Sequence, residues 1–165
     1  MYLRILAVLA VLVSFTTSTV SAKELVLNKP KIQLAILLDT SNSMDGLINQ
    51  AKSELWKIVN EFATAKKGGI APEFEVALYE YGKSSLPRSE GYIRQIVPLS
   101  TDLDRISEEL FNLKTNGGDE YCGHVIKRSV EELAWSPKKD DLKVIVIAGN
   151  EPFTQGSVNY KPATK

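Results

Sequence analysis

The chain has 165 residues, a length that suits one domain of ordinary size. Apolar residues make up 44% and charged residues 24%, a balance that excludes an intrinsically disordered chain. Basic and acidic residues number 20 each and the basic ones are scattered, so bulk charge directs the chain to neither nucleic acid nor an anionic membrane surface.

Residues 1–22 stand apart. Arg4 precedes an unbroken apolar run from Ile5 to Val13, a Ser/Thr-rich stretch follows, and Val20-Ser21-Ala22 closes it. This is the pattern of a secretory signal peptide cleaved after Ala22. The apolar run is too short for a membrane span, and nothing later is long and apolar enough for one. Residues 23–30 read as a linker, and the chain beyond Ala22 is expected in the periplasm or outside the cell. No cysteine follows the cleavage site to carry a lipid.

Lys31 to Leu38 is an apolar run of strand length without helical periodicity, as in strands buried on both faces of a parallel sheet. Asp45 is placed to cap the next element, a helix carrying Leu47, Ile48, Ala51, Leu55, Ile58, Val59 and Phe62 and ended by Gly68-Gly69. Glu73 to Tyr81 alternates, with Phe74, Val76 and Leu78 on one side. Gly82 to Gly91, with Pro87 inside it, is a loop. Tyr92 to Leu99 alternates again and is predicted to group Ile93, Val97 and Leu99, to pair antiparallel with the preceding strand, and, from Pro98, to lie at an edge. Thr101 or Asp102 starts a helix with Leu103, Ile106, Leu110 and Leu113. After the loop Thr115-Asn116-Gly117-Gly118-Asp119, a helix from Glu120 to about Trp135 is predicted to bury Val125, Ile126, Val130 and Leu133, and Pro137 prevents its extension. Leu142 to Ala148 is a second apolar run, the best candidate for another central strand. The order implies a three-layer α/β sandwich whose mostly parallel central sheet is flanked by helices. After Gly149-Asn150-Glu151-Pro152-Phe153 only a polar tail follows, so the last strand and helices of such a domain are expected to be missing or supplied by a partner.

Asp39-Thr40-Ser41-Asn42-Ser43 follows the first apolar run, where open α/β sheets collect their ligands. One carboxylate and two hydroxyls are hard oxygen donors, suited to Mg²⁺, Mn²⁺ or Ca²⁺ and poor for zinc. Two neutral hydroxyls leave the cation electrophilic and able to accept a carboxylate from outside. The bland alternative is that these residues only cap the following helix. Cys122 is the sole cysteine, which excludes an internal disulfide and a cysteine-based zinc cluster. His124 is the sole histidine and has no nucleophile beside it. No Gly-x-Ser-x-Gly elbow or phosphate loop is present, and an aspartyl phosphatase wants a second acid where Ser41 stands.

Asp39-Thr40-Ser41-Asn42-Ser43-Met44, between a buried strand and a long helix, resembles the first motif of the von Willebrand factor type A (VWA) domain family. Gly117-Gly118-Asp119-Glu120-Tyr121-Cys122-Gly123 and Ile147-Ala148-Gly149-Asn150-Glu151-Pro152 resemble its second and third loops as found in an exported bacterial subgroup. The resemblance covers Ile32 to Gly156, within a domain spanning 31–165. It implies a Rossmann-like sheet with a metal-ion-dependent adhesion site (MIDAS) on top, and Asp39, Ser41 and Ser43 as ligands of Mg²⁺ or of Mn²⁺ or Ca²⁺. Glu120 or the adjacent Asp119 would supply the next ligand, with Thr115 the fallback. The family's third-loop aspartate is replaced by Gly149, leaving Asn150 or Glu151 as substitutes. The function implied is an exported protein-binding module rather than an enzyme, its cation completed by an acidic side chain of a partner protein. A truncated remnant and a metal-dependent hydrolase are the alternatives.

Overall fold

The computed structural model describes residues 29–66 and 68–150, together with Gln155 and Val158. The expected signal segment 1–22, most of the linker, Glu151 and nearly all of the polar tail, on which the expected early end of the domain depends, lie outside the described residues. Among the described residues no helix is long and apolar enough to cross a membrane.

Strand β1 (Lys31–Asp39) is the axis of the sheet. It is buried from Ile32 to its end, and both of its lateral neighbours are parallel to it: β2 (Glu73–Tyr81) on one side and β4 (Leu142–Ala148) on the other. Strand β3 (Ile93–Ser100) pairs antiparallel with β2, giving the order β3-β2-β1-β4 and the edge position expected for β3. The first apolar run shows no alternation because each face of β1 meets its own core. Leu34, Ile36 and Leu38 pack with Val76, Leu78 and Val97 under helices α1 (Ile48–Thr64) and α2 (Leu103–Asn112), through Leu55, Val59, Ile106 and Leu110. Ala35 and Leu37 pack with Ala77, Tyr79 and Tyr81 under helix α3 (Cys122–Glu132), through Cys122, Val125 and Ile126. Helices on both faces of a mostly parallel sheet make the three-layer sandwich expected from the element order.

Several local expectations differ from the structure, each for a physical reason. Helix α1 ends at Thr64, before Gly68-Gly69, and Leu47 holds the position ahead of its first turn without a side-chain cap. Asp45 is not a cap because its carboxylate accepts a hydrogen bond from the Thr115 hydroxyl. Val97 parts from Ile93 and Leu99: the β2–β3 register slips between Val76 and Tyr79, and one extra β3 residue moves Val97 to the opposite core. Such a bulge reverses side-chain alternation beyond it. On α3, Ser129 is buried and Val130 is 49% exposed, the reverse of the expectation for Val130. The β4 run is partly exposed, and among the described residues it pairs with β1 alone. An apolar run reports on the two faces of a strand and carries no information on its lateral position.

Lys52 is the one α1 cation drawn into the interior, 3% exposed. Its ammonium donates to the carbonyls of Phe111 and Leu113, which end α2 without intrahelical partners. Burial, with Lys114 nearby as a secondary cause, holds its pKa below the ordinary lysine value.

Leu38 has no exposed surface and lies in the core under α1. Leu38→Ala is expected to lower unfolding stability by about 2–5 kcal/mol in urea titrations. Val130→Ser on the open face of α3 should change it by no more than about 0.5 kcal/mol.

Candidate metal centre

Strands β1, β2 and β4 run parallel, and Asp39 pairs in register with Tyr81 while Leu38 pairs with Ala148. Their carboxyl ends therefore form one edge, and the loops leaving it meet there. Asp39 is fully buried, and its Oδ1 accepts the Ser41 N–H at 2.8 Å. That bond is an Asx-type turn. It folds the loop back over the strand end, so the Oγ atoms of Ser41 and Ser43 come within 2.7 Å of each other.

Thr40 is fully buried and anchors this loop from behind. Its Oγ1 donates to the Tyr81 carbonyl at 3.1 Å and approaches the Glu80 carboxylate at 3.4 Å. Glu80 is fully buried and ion-paired with Arg94 at 2.6 Å and Lys83 at 3.6 Å. The Thr40 carbonyl accepts the Asn116 N–H at 2.9 Å, which ties the second loop to the first.

The second loop brings Glu120 to the cluster. The residue is 7% exposed, with Oε1 lying 3.5 Å from Ser43 Oγ, at the outer limit of a hydrogen bond. Oε2 accepts from the Gln155 amide at 2.9 Å, and the Glu120 N–H donates to Gln155 Oε1 at 3.1 Å. Gly82, at φ +80°, measures the convergence. A Cβ there would stand 2.8 Å from Asp39 Oδ1, 3.2 Å from Glu120 Cγ and 3.3 Å from Ser41 Cβ. Three donor-bearing residues thus crowd a single point that only glycine leaves open.

Asn150, just beyond β4, closes the third side. Its Oδ1 accepts from Ser43 Oγ at 2.8 Å and its Nδ2 donates to the Ser43 carbonyl at 2.9 Å. The Ser43 hydroxyl thus lies among Ser41, Glu120 and Asn150. Asp119 stands apart: it is exposed, and its carboxylate accepts from the Tyr121 hydroxyl at 3.4 Å. Thr115 is engaged by Asp45 instead.

A Cβ on Gly149 would lie 2.5 Å from the Tyr81 hydroxyl and 3.1 Å from both Cβ and Oδ2 of Asp39. Tyr81 is fully buried, and its hydroxyl accepts the Cys122 S–H at 3.4 Å. Burial first, then Cys122 and the carboxylates of Asp39 and Glu120, holds the Tyr81 pKa far above the ordinary tyrosine range. Burial likewise pushes the Cys122 thiol up. Both stay neutral, leaving Asp39 and Glu120 as the carboxylates of the cluster. His124 packs its ring against Tyr121, with centroids 5.1 Å apart, and burial, then Lys127, holds its pKa below the usual histidine value.

No family model matches the chain, and no curated protein does. Solved structures do match. A VWA domain described as SpRpn10 superposes with a TM-score of 0.53 at 17% identity, over 75% of this chain and 62% of that one. The pilus adhesin SpaC of Lactobacillus rhamnosus GG gives 0.53 at 14% identity, over 73% of this chain and 14% of that one. Three N-terminal domains of the type V pili tip protein Mfa5 of Porphyromonas gingivalis give 0.52 at 17%, over 72% and 19%. The chain adopts the von Willebrand factor type A fold. It spans less than two thirds of the length of each of these structures, and at such identities the likeness concerns the fold alone.

Within this VWA fold the donor chemistry is oxygen throughout. Among the described residues no three of His, Cys, Asp and Glu gather as a metal cluster. Two carboxylates, two hydroxyls and one carboxamide converge instead, a set that suits a hard divalent cation. Asn150 was visible in the sequence as the residue after a glycine where an aspartate was expected. The part played by Tyr81 was not visible, because a tyrosine inside a strand reads only as core. Gly149→Ala is expected to lower stability by about 1–3 kcal/mol through overpacking against the Tyr81 hydroxyl. Adding Tyr81→Phe should recover part of the loss, with a coupling above about 0.5 kcal/mol in a double-mutant cycle from denaturant melts.

Proposed function

We propose that this chain is an exported protein-binding module. Asp39, Ser41 and Ser43 would hold Mg²⁺, or Mn²⁺ or Ca²⁺, with Glu120 and Asn150 completing the protein's share of the coordination directly or through water. The observation that carries the reading is the pair of serine hydroxyls 2.7 Å apart, folded over a fully buried aspartate and flanked by Glu120 and Asn150. Asp119 is left out of this set because its carboxylate is turned to Tyr121.

A cation in this cluster supplies electrostatic attraction for an external carboxylate. The chain's own residues do the rest. The Asp39–Ser41 turn fixes the hydroxyls, the Thr40 anchor holds the loop against the sheet, and Asn150 clasps Ser43 from the third loop. The partner is then a protein offering an aspartate or glutamate. Placement outside the cell agrees with the signal-like segment 1–22 and with the fold shared with proteins described as a pilus adhesin and a pilus tip protein. Binding rather than catalysis is favoured because the oxygens of the cluster are engaged with one another, and His124 on α3 packs against Tyr121, which precedes that helix.

Isothermal titration with Mg²⁺ tests the reading. The unaltered protein should bind one equivalent, reversibly with chelator. Asp39→Ala should abolish binding while circular dichroism stays unchanged, and Glu120→Gln or Asn150→Ala should weaken it by on the order of tenfold. Equal binding by the Asp39→Ala protein would remove the site from consideration.

A further inference from the structure

Beside the cluster lies an open groove formed by the start of α1 and the end of α2. Ile48, Lys52, Phe111, Leu113 and Lys114 line it, and Thr115 lies at the side toward the cluster. Thr115 donates to the Asp45 carboxylate, and Asp45 follows Ser43 by two residues, a span of at most about 7 Å along the chain. Cluster and groove are therefore adjacent.

The groove combines two properties. Phe111 is 47% exposed, and with Ile48 it gives the groove an apolar side next to the polar cluster. The groove also carries positive charge: its lining includes Lys52 and Lys114, and the one acid at its edge, Asp45, is held by the Thr115 hydroxyl. Two of the three Lys52 N–H groups are spent on the Phe111 and Leu113 carbonyls, which also fixes the end of α2 and hence the position of Phe111. Lys114 is exposed at the rim.

We infer that this groove receives the partner segment that continues from the metal-bound carboxylate. That segment is an extended acidic peptide with a large apolar side chain next to the coordinated acid and a second acid following. The apolar side chain lies against Phe111 and Ile48, and the second acid faces Lys114. An extended chain advances about 3.3 Å per residue, so the residues one and two beyond the coordinated acid cover about the span that leads from Ser43 to Asp45 at the edge of the groove. Charge complementarity selects this occupant over a basic or neutral apolar one: the carboxylates of the peptide meet a cation at one end and a lysine rim at the other. The inference rests on the cation reading given above and adds the class of sequence that the site selects.

The test uses two fluorescein-labelled probe peptides of equal length, Gly-Asp-Leu-Glu-Gly and Gly-Asp-Gly-Gly-Gly, titrated with the purified protein in Mg²⁺ by fluorescence anisotropy. Mg²⁺ calorimetry is run on the same samples. The first peptide is expected to bind at least about tenfold more tightly than the second. Phe111→Ser should reduce that preference severalfold and Lys114→Glu should reverse the contribution of the second acid, both with Mg²⁺ affinity unchanged. If Mg²⁺ binds and the two peptides bind equally, or if the preference survives both substitutions, the groove is not the recognition surface. Undiminished binding of the first peptide in chelator also overturns the inference. Absence of Mg²⁺ binding by the unaltered protein overturns the underlying cation reading instead.

Discussion

Asp39 is a carboxylate without exposed surface, set at the end of a strand buried from Ile32 onward. Removing such a charge from water carries an effective penalty of several kcal/mol, and the surrounding loops are organised to meet it. The Ser41 N–H bonds to Oδ1 at 2.8 Å, and in doing so turns the chain so that Ser41 and Ser43 face the same point. Glu120 adds a second carboxylate there, and glycines at 82 and 149 keep the surrounding backbone close. Under the proposed reading a divalent cation would offset both carboxylates. Arg94 and Lys83 are engaged with Glu80, which lies behind Thr40.

The fold turns this local demand into a site. Because β1, β2 and β4 are parallel, the loops after all three leave the same edge of the sheet and each contributes: Ser41 and Ser43 after β1, beside Asp39 at its end, the Gly82 backbone after β2, and Asn150 after β4. The segment before α3 supplies Glu120. Asn150 stands next to the position where an aspartate was expected, and its clasp on Ser43 joins the loops after β1 and β4 through neutral groups. A neutral carboxamide in that place adds no charge, so a divalent cation here would be balanced by Asp39 and Glu120 alone. Smaller hard cations such as Mg²⁺ usually retain several waters, and an external carboxylate would displace one of them.

Much of the architecture could be read from the sequence where the physics is local. Apolar runs without periodicity gave β1 and β4, strict alternation gave β2 to the residue, and the helical spacing of Ile106 and Leu110 gave α2. Asp102 does cap α2, accepting the Arg105 N–H at 3.0 Å. The differences arise where tertiary contacts override local pattern. Asp45 is taken by Thr115 from 70 positions along the chain. Val97 changes face at a bulge that no spacing announces. Val130 sits on the rim of the helical stripe, where Ser129 can be buried because its hydroxyl bonds to the Ile126 carbonyl. At the site, the hydroxyl-bearing motif was legible because its residues adjoin in sequence. The Tyr81–Gly149 contact was not, since it depends on which strands lie side by side.

The central claim, that a hard divalent cation sits among Asp39, Ser41, Ser43, Glu120 and Asn150, is tested most directly by paramagnetic broadening of assigned backbone amide resonances with substoichiometric Mn²⁺. The account predicts that the amides of Ser41, Ser43, Glu120 and Asn150 broaden first, that those of Val130 and Glu54 do not, and that excess Mg²⁺ restores the spectrum. Broadening centred on another group of carboxylates, or no selective broadening at all, would contradict it.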